Sequence, residues 1–142
     1  PVDIVVCAAA IVDFKPKFKN KEKLKKDKDK LDTLKLERNF DILEYLGTHN
    51  KNRPKLVVGF SAETENIIKN SISKLHKKHC DLIIANDVSR KNVGLNVDYN
   101  EISIIDKNGK IDNFSRNKKS FLASIIANKI IDKILTDDKN IN

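Results

Sequence analysis

The sequence predicts an α/β fold in which helices flank a parallel β-sheet. Short apolar runs of strand length alternate along the chain with longer segments whose apolar residues recur at helical spacing. That alternation is typical of parallel strands joined by right-handed helical crossovers. The chain has 142 residues, enough for one domain with its own hydrophobic core. We therefore interpret residues 1–142 as a single domain.

The first predicted strand covers Asp3–Ala10 and lies within a run of nine apolar residues, Ile4–Val12. Such a run has strand length and is too short for a membrane helix. Because its residues do not alternate with polar ones, we expect a strand that is buried on both faces. Ligands of open α/β sheets bind beyond the carboxyl ends of the strands. We therefore expect a site at Asp13, Phe14 and Lys15, which follow directly.

A polar segment, Lys15–Lys30, comes next and contains nine lysines. The alternating residues Thr33–Glu37 predict a short amphipathic strand, which we pair with Lys23–Lys26 in a hairpin. Asn39 predicts the N-cap of a helix over Phe40–His49.

The rest of the chain continues to alternate strand and helix. We expect, in order, a strand over Lys55–Phe60, a helix over Thr64–His79 with Ile67, Ile68, Ile72 and Leu75 on one face, a strand over Asp81–Ala85, a polar loop over Val88–Asn100, strands over Glu101–Ile105 and Ile111–Phe114, and a helix over Lys118–Leu135 with an apolar stripe of Phe121, Ile125, Ile126, Ile130, Ile131 and Ile134. Asn108-Gly109 is a strong signal for a hairpin between the last two strands. The complete pattern predicts a Rossmann-like parallel sheet with an antiparallel hairpin extension.

The net charge of +8 favours anionic partners. An alternative interpretation is that the abundance of Lys, Asn and Ile reflects genome composition alone. Cys7 and Cys80 lie within or beside apolar segments and do not form a C-x-x-C pair, so we expect buried thiols in a reducing compartment. The sequence shows no signal peptide and no apolar run of membrane length, so we expect a cytoplasmic protein.

Small and polar residues follow the three core strands, in the segments Ala9–Pro16, Val58–Thr64 and Ala85–Ser89. In a parallel sheet these segments converge on one edge. We expect the small residues there, Ala9, Ala10, Gly59 and Ala62, to let a ligand approach the backbone. The turn at Ser61–Thr64 precedes a predicted helix, whose N-terminal N–H groups favour anions. The absence of G-x-G-x-x-G and Walker patterns argues against a standard dinucleotide or P-loop site.

These segments resemble the phosphopantothenoylcysteine synthetases, which form the C-terminal part of bifunctional coenzyme A biosynthesis flavoproteins. Ala9–Pro16 resembles the family pattern A-A-V-A-D-F/Y-R-P, and further resemblances follow in the same order at Glu22–Lys26 (E-K-I-K-K), Asn39–Leu43 (N-P-D-I-L), Val58–Thr64 (V-G-F-A-A-E-T), Asp81–Ser89 (D-L-I-x-A-N-D-V-S) and Gly94–Asn100 (G-F-G-S-D-x-N). Lys15, Phe40, Asn96 and Val97 depart from the family residues at their positions. Several ordered matches are far more specific than any one alone.

The resemblance implies a ligase that activates the carboxylate of 4′-phosphopantothenate with a nucleoside triphosphate, CTP in most bacteria, and Mg²⁺. The cysteine amine then attacks the acyl-cytidylate and releases CMP. By the same resemblance, Lys23 is the catalytic lysine of a mobile flap, and Asp13 and Asp41 lie near the nucleotide and its metal. Ala10, Phe14, Phe60 and Asn86 are the remaining residues expected to line the nucleotide site.

The resemblance also implies a homodimer, in which residues 15–38 form a flap and a dimerisation hairpin with Leu24, Leu31, Leu34 and Leu36 at the interface. A flavin decarboxylase domain is an expected fused or associated partner. The glycine-rich first strand and turn of the family are absent, so we expect either a truncated domain or a domain whose missing part another chain supplies. In both cases we expect that this chain alone lacks full activity.

Two other functions remain open at this point. The lysine-rich segment could bind nucleic acid or another polyanion, although it lacks interleaved aromatic residues and any known nucleic-acid motif. The chain could also be a catalytically incomplete fragment of the ligase. His76 and His79 have i, i+3 spacing on a predicted helix, but without a further ligand in register they do not predict a metal site.

Overall fold

A computed structural model describes residues 2–25, 33–49, 51–89 and 97–139. In chain order, the elements are β1 (Ile4–Cys7), β2 (Phe14–Pro16), β3 (Leu36–Arg38), α1 (Ile42–Thr48), β4 (Leu56–Glu63), α2 (Ile67–Lys77), β5 (Leu82–Asp87), β6 (Tyr99–Asp106), β7 (Ile111–Lys118) and α3 (Lys119–Lys139). The chain forms two compact units: a smaller one, Ala9–Ile42, and a larger one made of Pro1–Ala8 and Leu43–Asn142. The predicted single domain is thus built from two units.

The larger unit contains a five-stranded sheet in the order β1-β4-β5-β6-β7. The first three of these strands are parallel, and β6 and β7 join antiparallel. The predicted α/β sheet flanked by helices is confirmed, although it is mixed rather than wholly parallel. The hairpin predicted at Asn108-Gly109 is also present, with Gly109 at φ 86°, a left-handed conformation that favours glycine.

Helices cover the two faces of this sheet. On one face, Ile67, Ile68, Ile72 and Leu75 of α2 pack against Val57 and Ile83, as their spacing predicted. On the other face, α3 packs over strands β6 and β7. The α3 residues against the core are Leu122, Ile125, Ile126, Ile130 and Ile134. Phe121 and Ile131 of the predicted stripe are instead exposed, because they lie on the outward side of the helix.

Strand β1 departs from the sequence-based prediction. It is shorter than predicted and lies at the edge of the sheet, so only one of its sides is paired. Ile4 and Val6 are in register with buried Leu56 and Val58, yet 40% and 45% of their surfaces are exposed. The predicted burial on both faces is therefore wrong. The reason is that α3 contacts β6 and β7, at the other end of the sheet.

The smaller unit contains a two-stranded antiparallel sheet. Leu36–Arg38 pairs with Phe14–Pro16, and Lys23–Lys25, the described residues of the predicted partner, form no strand. Local alternation identified the strand, but the residues next to it in sequence did not identify its partner. Lys26–Lys30 and Leu31 lie outside the described residues, as do Gly94–Asn96 of the last sequence pattern.

Helix boundaries also differ from the predicted ones. Asn39 does not cap α1: its Oδ1 accepts a hydrogen bond from Phe40 N at 3.0 Å, and its Nδ2 donates to Val12 O at 3.1 Å. Helix α2 begins at Ile67 because β4 continues to Glu63. None of the helices in the described ranges is long and apolar enough to cross a membrane.

A buried carboxylate, Asp81, connects the amino ends of the central strands. Its Oδ2 accepts hydrogen bonds from Val57 N and Arg53 Nη2, both at 2.9 Å, and its Oδ1 accepts one from Lys107 Nζ at 2.9 Å. Arg53 also donates to the carbonyl oxygens of Gly47 and His79. One ion cluster therefore joins the end of α1, the start of β4, the turn before β5 and the β6–β7 hairpin.

The same contacts set the pKa of Asp81. Burial alone would raise the pKa, but hydrogen bonds from Val57 N, Lys107 and Arg53 outweigh it and hold the pKa below its ordinary value. A carboxyl whose folded pKa is depressed stabilises the fold above its unfolded pKa of about 3.9. That contribution is lost as the pH falls through the folded pKa.

We expect Asp81→Asn to lower the free energy of unfolding by about 3 kcal/mol at pH 7, because Arg53 and Lys107 lose their counter-charge. Urea unfolding at pH 7 and at about pH 3 measures the free energy of unfolding of both proteins. The loss of this free energy caused by Asp81→Asn should be smaller at the lower pH. Asp3→Asn is the control, since Asp3 forms an exposed ion pair with Lys55 at 3.6 Å. An equal loss at both pH values would contradict the assignment.

Candidate functional site

The carboxyl end of β4 carries a network of polar side chains in the larger unit. Ser61 is buried and donates a hydrogen bond from Oγ to Glu63 Oε1 at 2.7 Å. Glu63 Oε2 accepts a hydrogen bond from Asn70 Nδ2 at 3.3 Å, and Glu63 O accepts one from Val88 N at 3.0 Å. Ser61 and Glu63 therefore join β4 to α2 and to the loop after β5. This position within β4 corrects the expectation that Ser61–Thr64 would form an anion-binding helix start.

A cation also reaches this strand end. Lys74 of α2 donates a hydrogen bond from Nζ to Phe60 O at 2.9 Å. Phe60 itself is half-buried, and its side chain packs against the apolar core beneath α3. The predicted site residue Phe60 therefore lies within β4, in register with Ile84, and not at the strand end where it was expected, because β4 continues to Glu63.

The carboxyl end of β5 is closed by a local turn. Asp87 Oδ1 accepts hydrogen bonds from Ser89 N at 2.9 Å and Ser89 Oγ at 2.6 Å. Asn86 precedes this turn and pairs with Ala62 on β4 and with Ile102 on β6. Its Oδ1 is buried and accepts no hydrogen bond from the described part of the chain. Asn86 Oδ1 is thus a buried acceptor without a hydrogen bond among the described residues, whereas Asp87 accepts the hydrogen bonds that close the turn.

Gly59 does not have the role that its position suggested. A Cβ at Gly59 would lie 2.8 Å from Leu43 Cδ2 and 3.3 Å from Cys80 Sγ. Neighbouring core side chains therefore fill the space that we expected a ligand to use. Ala62, in contrast, is exposed. The expectation of close ligand approach is wrong for Gly59, because the glycine serves core packing.

The other predicted site residues lie in the smaller unit. Asp13 and Phe14 are exposed at the start of β2, where Asp13 O accepts a hydrogen bond from Asn39 N at 2.7 Å. This contact places the backbone of Asp13 opposite the segment that leads to Asp41, which is half-buried. Lys15 lies on β2 and pairs with Glu37 across the small sheet at 3.5 Å.

Ala10 and Lys23 are also exposed residues of the smaller unit. The predicted set is therefore divided: Phe60 and Asn86 belong to the larger unit, and Ala10, Asp13, Phe14, Lys23 and Asp41 belong to the smaller unit. Within each unit, backbone pairing brings part of the set together. The residue roles stay predictions.

The Cys80 thiol lacks the low pKa of a reactive cysteine. Burial raises the pKa of Cys80 to about 12, and the charge of Asp81 adds to the effect, so this thiol stays protonated at neutral pH. Cys7 is half-buried rather than buried as expected. No group of three or more His, Cys, Asp or Glu side chains within the described ranges could hold a metal ion.

Sequence reasoning missed Asn70 and Lys74 at the carboxyl edge. Both lie on the face of α2 that reaches the end of β4, where they contact Glu63 and Phe60. Their i, i+4 spacing is a signal that could have shown that they share a helix face. Nothing in the local sequence, however, indicated which strand end that face would meet.

The chain is similar to known proteins over most of its length. A family model described as DNA/pantothenate metabolism flavoprotein C-terminal domain matches residues 1–134. Among curated proteins, the chain is 42% identical over 107 residues to the coenzyme A biosynthesis bifunctional protein CoaBC of Bacillus subtilis, covering 75% of this chain and 26% of the relative. It is 36% identical over 129 residues to a cysteine/cysteine sulfinic acid decarboxylase of an unknown prokaryotic organism, covering 91% of this chain and 35% of that relative.

A solved structure of the same family is also similar to this chain. The crystal structure of the C-terminal domain of the coenzyme A biosynthesis bifunctional protein CoaBC is similar with a TM-score of 0.70 and 30% identity, over 96% of this chain and 56% of that one. The Rossmann-like α/β fold predicted from the sequence is thereby confirmed. The chain spans only part of the length of each of these relatives.

We expect Gly59→Ala to lower the free energy of unfolding by about 1–3 kcal/mol, because the added methyl group would overlap Leu43 and crowd Cys80. Thermal and urea unfolding measure the loss. Ala62→Ser adds one atom at an exposed position of the same strand and should change stability by less than about 0.5 kcal/mol. Unchanged stability of Gly59→Ala would restore the interpretation that this position is open to a ligand.

Proposed function

We propose that this chain, which belongs to the family of DNA/pantothenate metabolism flavoprotein C-terminal domains, acts as a phosphopantothenate–cysteine ligase of coenzyme A biosynthesis. The family match over residues 1–134 carries this proposal. Similarity to bifunctional coenzyme A biosynthesis proteins supports a ligase-type enzyme in this pathway. The nucleotide, the metal ion and the residue roles are further parts of the proposal.

The proposed reaction has two steps. A carboxylate oxygen of 4′-phosphopantothenate attacks the α-phosphorus of CTP, and pyrophosphate leaves. The amine of L-cysteine, after losing a proton, then attacks the acyl carbon of the resulting acyl-cytidylate, and CMP leaves. Because both substrates of the first step are anions, the site must supply positive charge where they meet.

Lys23 supplies that charge in our proposal. It is exposed and belongs to the segment that we interpret as a flap. A lysine on such a segment can approach the phosphates when the substrates bind and help to exclude water from the acyl-cytidylate. By the resemblance, Ala10 and Phe14 would present backbone groups to the nucleotide, and Phe60 and Asn86 are further residues proposed to bind it.

Asp13 and Asp41 would hold Mg²⁺. Carboxylate oxygens are suitable ligands for this ion, which commonly binds one or two carboxylates together with substrate phosphates and water. The donor set therefore fits, and the contact between Asp13 O and Asn39 N supports a common location for the two acids. When bound, Mg²⁺ would neutralise the triphosphate and stabilise the departing pyrophosphate.

Two partners complete the proposal. The relatives are bifunctional proteins or are described as decarboxylases, which is consistent with a fused or associated flavin decarboxylase domain. A second copy of the chain is the other partner. Leu24, Leu34 and Leu36 are exposed in the smaller unit, and Leu24 and Leu34 line a groove of about 790 Å³ together with Phe18. The fourth predicted interface residue, Leu31, lies outside the described residues.

We expect Lys23→Ala to lower the rate of CTP-dependent pyrophosphate release at least about tenfold, because charge next to the phosphates is lost. The assay uses the full polypeptide that carries this chain, with phosphopantothenate, cysteine, CTP and Mg²⁺, and each component is omitted in turn. Lys21→Ala, in the same exposed segment, should retain the activity. Pyrophosphate release that does not require phosphopantothenate would refute the proposed ligase reaction. Release by Lys23→Ala at the wild-type rate would refute the proposed role of Lys23.

We expect Leu34→Lys to shift the chain from dimer to monomer, because a charge would enter an apolar interface. Sedimentation velocity at several protein concentrations measures this. Leu135→Lys is a matched control, since Leu34 and Leu135 are both 56% exposed but Leu135 lies on α3 in the larger unit. If both variants dissociated to the same extent, or if neither dissociated, Leu24, Leu34 and Leu36 would not form the dimer interface.

A further inference from the structure

The amino ends of the central strands border a pocket that the proposed function does not use. Its volume is about 320 Å³, and its lining includes Arg53, His76, His79, Asp81 and Lys107. All five residues belong to the larger unit. The volume lies at the lower end of the range of about 300–1,000 Å³ that small-molecule sites occupy. The pocket is therefore large enough for a small ligand and rich in ionisable groups.

The pocket presents positive charge to solvent because its carboxylate is the innermost group. The side chain of Asp81 is 3% exposed, whereas those of Arg53 and Lys107 are 30% and 50% exposed. Two cations thus lie in front of one anion, and one positive charge is left without a counter-charge in the lining. A concave surface with such an excess attracts anions.

His79 occupies a position at which glycine is the usual residue. It follows α2 with φ 52°, in the left-handed region, and the chain forms a Schellman motif there: His79 N donates to His76 O at 3.2 Å, and Cys80 N donates to Leu75 O at 3.0 Å. Any side chain costs stability in this conformation, whereas glycine does not. No hydrogen bond within the described ranges uses the imidazole of His79 or that of His76. Hydrogen bonding within the fold therefore does not explain a histidine at this position.

The donors that remain in the pocket suit a phosphate group. The guanidinium of Arg53 already donates to Asp81 and to three backbone carbonyl oxygens, so it is not free to bind a carboxylate ligand through two parallel hydrogen bonds. Lys107 Nζ has three N–H groups and donates one of them to Asp81, which leaves two. An imidazole has an N–H donor in both its neutral and its charged form. Single donors from Lys107, His76 and His79 match the several acceptor oxygens of a phosphate group.

We propose that this pocket is a binding site for a phosphate group, with Lys107, His76 and His79 as its donors. The group is either free, as inorganic phosphate or pyrophosphate, or part of a small phosphate ester. This inference does not rest on the proposed function, because none of the residues that we propose for the ligase reaction lines the pocket.

Isothermal titration calorimetry measures the binding of inorganic phosphate, pyrophosphate and glycerol 3-phosphate to the full polypeptide that carries this chain, at constant ionic strength and without nucleotide. At least one of these compounds should bind, and the tightest identifies the source of the phosphate group. His76→Ala and His79→Gly should each weaken its binding about tenfold, because one charge-assisted hydrogen bond is lost. Lys110→Gln is the control, since Lys110 lies in the same hairpin as Lys107 but pairs with Asp112 at 3.7 Å, outside the pocket lining. This variant should keep the wild-type affinity.

The stability of His79→Gly separates recognition from folding. Without ligand, this variant should melt about 2 °C or more above wild type, since glycine adopts a positive φ without strain. Weaker binding together with a lower melting temperature would overturn the inference, because the loss of binding would then follow from a damaged fold. Absence of binding by all three compounds, unchanged affinity in both histidine variants, or an equal loss in Lys110→Gln would also overturn it. The proposed ligase reaction is judged separately, by its own release of pyrophosphate.

Discussion

The buried carboxylate of Asp81 is the interaction on which the sheet of the larger unit depends. It is desolvated, yet Val57 N, Arg53 and Lys107 satisfy it from three parts of the chain. A buried charge is tolerated only with such partners, and it fixes their geometry in return. The cluster lies at the amino end of β5, and a separate set of hydrogen bonds, in which Ser61, Glu63 and Asp87 take part, lies at the carboxyl ends of β4 and β5.

At the carboxyl edge, similarity to a family pattern does not by itself distinguish structural from functional residues. Asp87 closes a turn on Ser89, and Glu63 holds Ser61 and Asn70. These groups have partners within the protein, and their chemistry is largely used there. Asn86 Oδ1 has none among the described residues. The hydrogen bonds therefore assign Glu63 and Asp87 a structural role that a sequence pattern alone does not reveal.

The predicted site residues are distributed over the two units of the chain. The smaller unit carries the acids, the lysine segment and exposed apolar residues, whereas the larger unit carries the sheet and its carboxyl edge. The relatives, which are longer than this chain, indicate that further parts of a polypeptide accompany this domain in similar proteins.

The sequence by itself determined the elements whose signals are local. Apolar runs identified the central strands, helical spacing identified the buried face of α2, and Asn108-Gly109 identified the hairpin, because each depends on residues close together in the chain. It also placed Asn86 next to the end of a strand, whereas Phe60 lies within β4. Only the tertiary structure decided that β1 is an exposed edge, that β3 pairs with β2, that Gly59 serves packing against Leu43, and that Asn86 Oδ1 lacks a partner. Those properties depend on which distant residues lie opposite, and local patterns do not contain that information.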